Sequence, residues 1–366
     1  MDSKKYNNIK LAAGIIRGIL SFILILLFVA LGISRDLQNI LTENVNGKYL
    51  QFLLFVIISG SGASILFFPL SFYTEFYLEH KYGLSNQSFL AWIGEGLKAL
   101  LVTAIIGIPL LLFFYYTLNK YQSFWWLPFA IILFVVSVVL ARIVPVLILP
   151  LFYKITPLEN EELKERINAL AHETGLKLKS IFKFNMSKNT KKANAAFTGL
   201  GKTKRILLGD TLLDSYSNDE IETVIAHEMG HYKYKHILKN IIFGTVTSFL
   251  TLYLMSVLYS VSLEWFGFYD ISQIAALPLL SLWAMLVGII QTPISSSISR
   301  KYEYEADEYA VRLSEKPEAF KRTLEKLNEQ NLGDKEPHPF VEWFFYSHPS
   351  VKKRIARIDA ISPVRK

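Results

Sequence analysis

The sequence predicts a mainly α-helical, polytopic membrane protein with about six spanning helices and a smaller polar part of mixed α and β structure. Of its 366 residues, 52% are hydrophobic and only 19% are charged, whereas soluble domains carry about a quarter charged residues. Six stretches of roughly 20 mostly apolar residues are long enough to cross a bilayer core as helices. The 26 phenylalanines exclude a disordered chain, and the apolar stretches argue against a fully soluble protein.

The six apolar stretches are separated by polar segments, which sets the expected number of spans. They run over about 11–33, 50–72, 99–118, 125–147, 241–261 and 274–294. The first is longer than the apolar region of a signal peptide, and no small-residue cleavage motif follows it. Residues 34–49 are interpreted as a loop. Residues 291–299 either extend the last span or form a short re-entrant segment.

Lysine and arginine are concentrated on one side of the predicted spans. The N-terminal tail and the segments 148–240 and 300–366 are rich in them, whereas the loop 262–273 contains none. Because positively charged loops stay in the cytosol, both termini and both polar segments are predicted to be cytosolic. The net charge of +8 follows from this bias, so no nucleic-acid partner is expected.

The chain divides into two predicted domains. Residues 1–147 form an N-terminal transmembrane domain with four spans. Residues 148–366 form a second domain that includes the spans at about 241–261 and 274–294. The two polar segments of the second domain are each small for a core of their own, so we expect them to pack together.

The polar segment after span four carries signals for helices and strands. Asn160 and the acidic residues after it begin an amphipathic helix that Gly175 ends. Short apolar runs at 181–184 and 205–208 predict strands. Ser217 or Asn218 then caps a helix with acidic residues in its first turn, where negative charge suits the helix dipole.

That capped helix contains His227-Glu228-Met229-Gly230-His231, an H-E-x-x-H motif. Histidines four residues apart lie on one helix face about 6 Å apart, so both imidazoles can bind one zinc ion. Glu228 lies about 100° round the helix, where it can accept a proton from a water that zinc has acidified. Because the chain has no cysteine, any metal must be held by histidines and carboxylates.

A third protein ligand is expected on a later helix. The position at which metzincins carry their third histidine is Ile237, which cannot bind metal. After the last span, Glu303 and Asp307 are four residues apart and share a helix face, so one can bind zinc while the other orients a ligand imidazole. Glu305 points away from this face, and we favour Glu303 as the ligand.

Three other interpretations are less consistent with the sequence. A carboxylate-bridged di-iron site needs two E-x-x-H units, and only Glu228 with His231 forms one. A metal or solute transporter would carry ionisable residues deep in several spans, and the span centres here have almost none. A catalytically silent scaffold or chaperone would have no need for an intact general base and ligand set.

The metal centre is expected at the cytosolic boundary of the membrane. No proline or paired glycine separates the H-E-x-x-H helix from the fifth apolar stretch, so we expect one continuous helix from about Asn218 into that span. At 1.5 Å per residue, the metal would lie roughly 15–20 Å from the start of the apolar run. Glu303 follows soon after span six, which places the site beside a cavity among the spans.

Taken together, the motifs resemble the CAAX prenyl protease 1 family, zinc-dependent membrane metalloproteases of the gluzincin type that cleave prenylated peptides. The resemblance covers roughly residues 50–360 and depends on several segments in one order. They are 68–76 with 79–84, 156–159, 194–199, 204–208 with 210–212, 227–233 with His236, 299–307 and 347–349. H-E-x-x-H alone would indicate only a zincin.

The resemblance implies roles for residues around the metal. Glu303 matches the third zinc ligand, and Asp307 matches an acid that orients a ligand. Arg300 and His236 belong to the same motifs and are expected close behind the ligands. His348 matches a histidine that stabilises the tetrahedral intermediate, although Ser350 stands where a second proline is usual after His348-Pro349.

The resemblance also implies a substrate-binding strand and an enclosed chamber. An edge strand formed by Asn194, Ala195, Ala196 and Phe197 would pair with the backbone of the substrate. A ring of spans would surround the chamber. Eukaryotic members have seven spans and six are counted here, so the expected number is six or seven. The chain has no long loop insertions, which is typical of a compact bacterial form.

The expected fold is therefore a mainly α polytopic membrane protein with a zincin-like α+β cytosolic metalloprotease domain. The expected function is that of a zinc metalloendopeptidase with one zinc ion per chain. It would hydrolyse peptide bonds near the C-terminus of prenylated or membrane-associated substrates. The alternative is a quality-control protease for membrane proteins without prenyl specificity.

The expected partners are a peptide or protein substrate and the lipid bilayer, and we expect a monomer. The expected location is the bacterial inner membrane, or the endoplasmic reticulum if the source is eukaryotic. The termini and the active site would be on the cytosolic side.

Overall fold

Helices make up most of the chain in the computed structural model, which describes residues 2–176, 180–198 and 205–361, with the backbone alone at Phe197 and Thr198. The helices are α1 (Ser3–Ala30), α2 (Ile33–Asn44), α3 (Lys48–Ser71), α4 (Leu78–Lys81), α5 (Phe89–Tyr121), α6 (Trp126–Ile143), α7 (Leu149–Phe152), α8 (Glu161–Thr174), α9 (Asp210–Ser215), α10 (Asn218–Lys233), α11 (His236–Ser262), α12 (Pro278–Ser314), α13 (Pro317–Gln330), α14 (Pro339–Phe345) and α15 (Val351–Ile361). The strands are β1 (Ile155–Pro157), β2 (Ile181–Phe184), β3 (Ala195–Thr198) and β4 (Arg205–Gly209). Positions 199 and 204 of the resemblance lie outside the described residues.

Six helical segments of the described chain are long and apolar enough to cross a membrane, which confirms the predicted multi-pass fold. They are Ser3–Ala30, Lys48–Lys81, Phe89–Phe124, Trp126–Phe152, His236–Ser262 and Ile274–Ser314. The last extends far beyond the apolar run that predicts it. Residues 291–299 therefore continue the span as helix α12 and do not re-enter the membrane.

The prediction of one continuous helix from about Asn218 into span five is wrong. Helix α10 ends at Lys233, and α11 begins at His236 after Lys235 adopts a left-handed conformation with φ 57°. That conformation costs a residue with a side chain roughly 1–2 kcal/mol. Contacts that only the folded chain can make, between the His236 ring and neighbouring side chains, offset this cost.

Residues 33–44 form a helix, whereas the segment 34–49 between spans one and two was predicted to be a loop. Helix α2 packs on the connection between spans five and six. Arg35 donates a hydrogen bond to the carbonyl of Phe266 and lies 4.5 Å from the centre of the Phe268 ring. The side chain of Gln38 accepts a hydrogen bond from the backbone N–H of Ala275. These contacts cover the end of the membrane bundle that lies away from the polar domain.

A four-stranded sheet supports one side of the polar domain. Its order is β1-β2-β4-β3, with β2 and β4 parallel and the other two pairs antiparallel. The strands predicted at 181–184 and 205–208 are confirmed as β2 and β4. Strand β3 lies at an edge of the sheet, with Ala195 opposite Leu208 and Ala196 opposite Leu207.

The caps predicted for two helices are confirmed. The Asn160 side chain accepts the N–H of Leu163 at the start of α8, and Gly175 ends that helix with φ 69°. Ser217 caps α10, and its hydroxyl and backbone N–H form a reciprocal capping box with Glu220. A capping residue of this type contributes about 1 kcal/mol, so the start of α10 is fixed before the metal motif begins.

Candidate metal centre

The site is built where α10 and α12 cross at very short range. A side chain at Gly230 would place its Cβ 2.9 Å from the Cα of Ala306 and 3.1 Å from its carbonyl oxygen. Only glycine therefore permits this approach of the two backbones. Because Gly230 lies inside the H-E-x-x-H motif and Ala306 lies three residues after Glu303, the crossing brings the two halves of the site together.

Three side chains present their ligand atoms to one point between the helices. Nε2 of His227 lies 3.1 Å from Nε2 of His231 and 3.4 Å from Oε2 of Glu303. Nε2 of His231 lies 3.3 Å from Oε1 of Glu303. Within the described residues, these three are the group of potential metal ligands whose atoms all lie within 4.8 Å of one another.

The donor set suits a tetrahedral zinc ion. Ligand atoms held about 2.0–2.1 Å from zinc lie about 3.3–3.4 Å apart when the geometry is tetrahedral. The distances from the two imidazole nitrogens to the nearer carboxylate oxygen, 3.4 and 3.3 Å, match this spacing, and the two nitrogens lie slightly closer together, at 3.1 Å. Oε2 of Glu303 is buried and lies 3.4 Å from Nε2 of His227 and 2.9 Å from Nδ1 of His348. Two imidazoles and one carboxylate are a ligand set that zinc accepts.

The far side of His227 is held by a buried ion pair. Nδ1 of His227 lies 2.9 Å from Oδ1 of Asp307, whose side chain is fully buried. Arg354, on α15, donates two hydrogen bonds of 2.8 and 2.6 Å to the same carboxylate. Burial disfavours the charged imidazole, but the carboxylates of Asp307 and Glu303 outweigh it and raise the pKa of His227 to about 10. A metal ion bound at this site would therefore replace a proton on His227.

The far side of His231 is held by a second imidazole. Nδ1 of His231 lies 2.9 Å from Nδ1 of His236, and Nε2 of His236 lies 2.9 Å from Oε2 of Glu305. The His236 ring stacks on Tyr302, with ring centres 4.1 Å apart and planes 12° apart. The break after α10 makes this possible, since it turns His236 back towards the motif.

His348 borders the open side of the centre on a loop that Arg300 anchors. Nδ1 of His348 lies 2.9 Å from Oε2 of Glu303, while its side chain is 63% exposed. Arg300 donates hydrogen bonds to the carbonyls of Glu342 and Tyr346, at 2.9 and 2.6 Å. Arg300 thus fixes the backbone that leads to His348, and it also donates a hydrogen bond to the hydroxyl of Ser297. Its role is to hold this loop rather than to orient a candidate ligand.

The remaining predicted site residues lie on α10 and at the edge strand. Glu228 is half-buried on α10, next in sequence to His227. Strand β3 lies against α10. On it, Ala195 and Ala196 are half-buried, and Asn194 just before it is exposed. The side chain of Phe197 lies outside what the structure describes.

Two residues of the site were not predicted from the sequence. Arg354 follows the loop that carries His348 and has no local pattern that distinguishes it from the other basic residues of α15. Glu305 was set aside because its helical position points away from the metal. It does point away, but towards His236. A search for partners of His236 on the opposite helix face could have found it.

Two family models match adjacent parts of the chain. The one described as peptidase family M48 matches residues 157–362. This chain belongs to peptidase family M48. The other, described as the CAAX prenyl protease N-terminal region with five membrane helices, matches residues 1–154. The described residues in that range form four candidate spans.

Individual relatives extend the match over nearly the whole chain. CAAX prenyl protease 1 of Saccharomyces cerevisiae is 35% identical over 335 residues, covering 86% of this chain and 74% of that protein. The uncharacterized metalloprotease YhfN of Bacillus subtilis is 30% identical over 368 aligned positions, covering 98% and 84%. The crystal structure of S. mikatae Ste24p has a TM-score of 0.87 at 33% identity and covers 98% of this chain and 88% of that chain.

These findings confirm the predicted family, fold class and enzyme class. The M48 protein described here is an integral-membrane metalloprotease, from a family that generally uses zinc. Membership of a peptidase family, with its metal motif intact, argues against the transporter and scaffold interpretations. A protease implies a peptide or protein substrate.

Proposed function

We propose that this M48 protein is a zinc endopeptidase that cleaves near the C-terminus of prenylated or membrane-associated peptides. One zinc ion per chain would be held by His227, His231 and Glu303. The observation that carries the proposal is the convergence of two imidazole nitrogens and the two oxygens of one carboxylate, with contacts of 3.1 to 3.4 Å between the side chains. They meet at the crossing of α10 with a helix that continues into a membrane span.

Zinc, when bound, polarises a peptide carbonyl and lowers the pKa of a water molecule. Glu228 is proposed to accept the proton of the attacking water and to deliver it to the leaving amine. His348 is proposed to donate a hydrogen bond to the oxygen that gains negative charge. Asp307 and His236 keep the two ligand imidazoles in position, because each binds the ring nitrogen that faces away from the metal.

The edge strand β3 is proposed to bind the substrate backbone. Among the described strands, β3 pairs with β4 alone, so its outer edge can accept an extended peptide as a further strand. Recognition through main-chain hydrogen bonds places few demands on substrate side chains. Asn194, at the start of this edge, is exposed and can contact the peptide.

The names of the relatives support a prenylated substrate over the quality-control alternative. Several of them, including those from Saccharomyces cerevisiae and Homo sapiens, are named as CAAX prenyl protease 1 or its homologue. We extend that substrate class to this chain as a proposal. The lipid and the scissile peptide would meet at the membrane boundary, where α12 leaves its apolar segment.

The deciding experiment compares a farnesylated C-terminal peptide with its unprenylated twin in reconstituted vesicles. The wild type should cleave the farnesylated peptide faster, and Glu228→Gln should retain zinc and lose nearly all cleavage. Equal rates on both peptides would support the quality-control alternative. Wild-type turnover by Glu228→Gln would refute the assigned general base.

The remaining proposals concern topology and assembly. The bias of positive charge supports cytosolic termini and a cytosolic active site, in a bacterial inner membrane or in the endoplasmic reticulum. We propose a monomer, divided into a transmembrane domain at 1–147 and a metallopeptidase domain at 148–366. Impermeant labelling of cysteines introduced near each terminus and in the loop 262–273 tests the orientation, since the two sets should react from opposite sides.

A further inference from the structure

Helix α14 leaves a cluster of aromatic rings partly exposed at the surface of the described chain. Phe340 and Trp343 are 56% and 49% exposed, and their ring centres lie 5.8 Å apart. Phe344 stacks on Phe340 at 5.9 Å, and Phe345, itself exposed, lies 4.6 Å from Phe344. A contiguous apolar surface of this kind marks a membrane or partner contact.

The opposite face of α14 is fixed to the protein by polar contacts. Glu342 is buried and accepts hydrogen bonds from the backbone N–H of Ser350 and from Nζ of Lys353. Its carbonyl, with that of Tyr346, accepts hydrogen bonds from Arg300. The helix therefore cannot roll to hide its aromatic rings without breaking a buried carboxylate network.

The depth of α14 relative to the membrane follows from its contacts with α12. Helix α12 begins at Pro278, and roughly 20 residues at 1.5 Å each span the hydrocarbon core. The bilayer boundary therefore lies close to Ser297. Ser296 donates a hydrogen bond to the carbonyl of Phe344, and Arg300 holds the carbonyls on either side of it. The aromatic cluster is thus at the level of the boundary.

We propose that α14 inserts its aromatic side chains into the interfacial region of the lipid bilayer. Trp and Phe rings favour this region, because an apolar body can enter the acyl boundary while the indole N–H stays near water. Lys301 on α12 and Lys352 on α15 are exposed, although each is already paired with a carboxylate, of Glu305 and Glu336 respectively. The membrane contact of α14 is additional to the spans and involves an element of the metallopeptidase domain.

A bilayer fits the aromatic cluster of α14 better than an isoprenoid chain or a second copy of the protein does. A single isoprenoid chain needs walls on several sides, whereas the exposed surfaces of Phe340 and Trp343 belong to one short helix. A second copy of the chain would have to approach at the depth of the headgroups, where lipid already surrounds the spans. This membrane contact of α14 does not depend on which peptide the enzyme cleaves.

The test uses spin labels, because the chain has no cysteine of its own. Phe340→Cys and Trp343→Cys are labelled separately and reconstituted in nanodiscs that contain anionic lipid. Ile65→Cys, exposed on span two, and Glu161→Cys, exposed on α8, give the lipid and water references. Zinc content equal to the wild type shows that each variant is folded.

The spin labels at 340 and 343 should collide with oxygen more often than with a water-soluble nickel chelate. The ratio of the two collision rates should be several-fold higher than for Glu161→Cys and close to that for Ile65→Cys. A ratio equal to that at Glu161→Cys overturns the proposal. So does protection that appears only with a farnesylated peptide, which would indicate an isoprenoid site. Label–label broadening that disappears on dilution with unlabelled chain would indicate a second copy and overturns it as well.

Discussion

Each of the two histidines proposed as ligands has a different partner on the far side of its ring. His227 faces the carboxylate of Asp307, and His231 faces the imidazole of His236. The Glu305 carboxylate can only accept from His236 Nε2, which leaves Nδ1 of His236 as an acceptor for His231. His231 must then carry its proton on Nδ1, and its Nε2 lone pair is free for the metal. The contacts from Glu305 to His236 and from His236 to His231 thus set the tautomer of His231.

Removing Glu305, the last member of this hydrogen-bond series, should weaken the metal site. In Glu305→Ala, both imidazoles lose their fixed tautomers, and the zinc affinity should fall roughly 10–100-fold. Competition with a chromophoric chelator measures this directly. The matched control is Glu308→Ala, on the same helix, whose carboxylate pairs with Arg357 on α15 rather than with a ligand. Equal loss in both variants would contradict the tautomer argument.

Metal binding should depend on pH because His227 must lose a proton. Its pKa is raised to about 10, so the metal-free imidazole is charged at neutral pH. The zinc association constant should therefore rise with pH, by up to about tenfold per unit between pH 7 and 10. Chelator competition at several pH values checks the slope. Asp307→Asn removes one of the charges that raise the pKa and should flatten it.

The raised pKa of His227 also affects the stability of the metal-free protein. A folded-state pKa above the unfolded value of about 6.5 contributes stability that is complete below pH 6.5. That contribution is lost as the pH rises through about 10. The thermal midpoint of the metal-free chain should therefore fall over this range relative to that of the zinc-bound chain.

At the scale of secondary-structure elements, the site depends on the crossing of two helices. α10 carries the two histidines and the glutamate proposed as general base, and α12 carries Glu303, the proposed third ligand. Their separation is set at Gly230, where a methyl group would meet the backbone of Ala306. A helix–helix distance larger by a few tenths of an ångström would move Glu303 away from both histidines.

Gly230→Ala should therefore lose zinc as well as stability. Overpacking of this kind costs about 1–3 kcal/mol, and the relief available is separation of α10 from α12. Metal analysis after gel filtration measures the loss of zinc. Gly244→Ala is the control, since its Cβ would meet nothing within 4 Å, and alanine favours a helix over glycine by roughly 1 kcal/mol. Full zinc occupancy in Gly230→Ala would show that the crossing tolerates a side chain.

At the scale of the whole molecule, one largely covered carboxylate, that of Glu79, joins the membrane bundle to the edge strand. Glu79, on α4 at the end of span two, lies 2.7 Å from Nζ of Lys10 on α1 and 2.9 Å from Nζ of Lys192, just before β3. Tyr6 donates a hydrogen bond to the same side chain. The side chain of Glu79 is only 12% exposed. Its charge thus holds three separate segments in one position.

Glu79→Gln should affect substrate binding more than the metal. It leaves two lysines without their counter-charge, which frees the start of β3 while α10 and α12 stay packed. KM for a peptide substrate should rise several-fold with unchanged zinc affinity. Glu75→Gln is the control, because Glu75 is half-exposed and lies 3.7 Å from Arg17. A variant that loses zinc and activity together would refute a role confined to the strand.

Much of this architecture is local and could be predicted from the sequence. A run of about 20 apolar residues predicts a span wherever it occurs. The spacing of His227 and His231 places both on one face of any helix, and Ser217 caps that helix through contacts three residues away. These features depend on neighbours in the chain, so periodicity and composition were sufficient.

Only the tertiary structure decided which distant groups complete the centre. Arg354 reaches Asp307 across 47 positions of sequence, and Glu305 reaches His236 across 69. The left-handed turn at Lys235 has no local cause, since neither proline nor glycine is present there. It is stabilised by contacts that exist only after α10 and α12 have packed. The sequence by itself determined the spans, the metal motif and its capped helix, while long-range packing determined how the ligands are held.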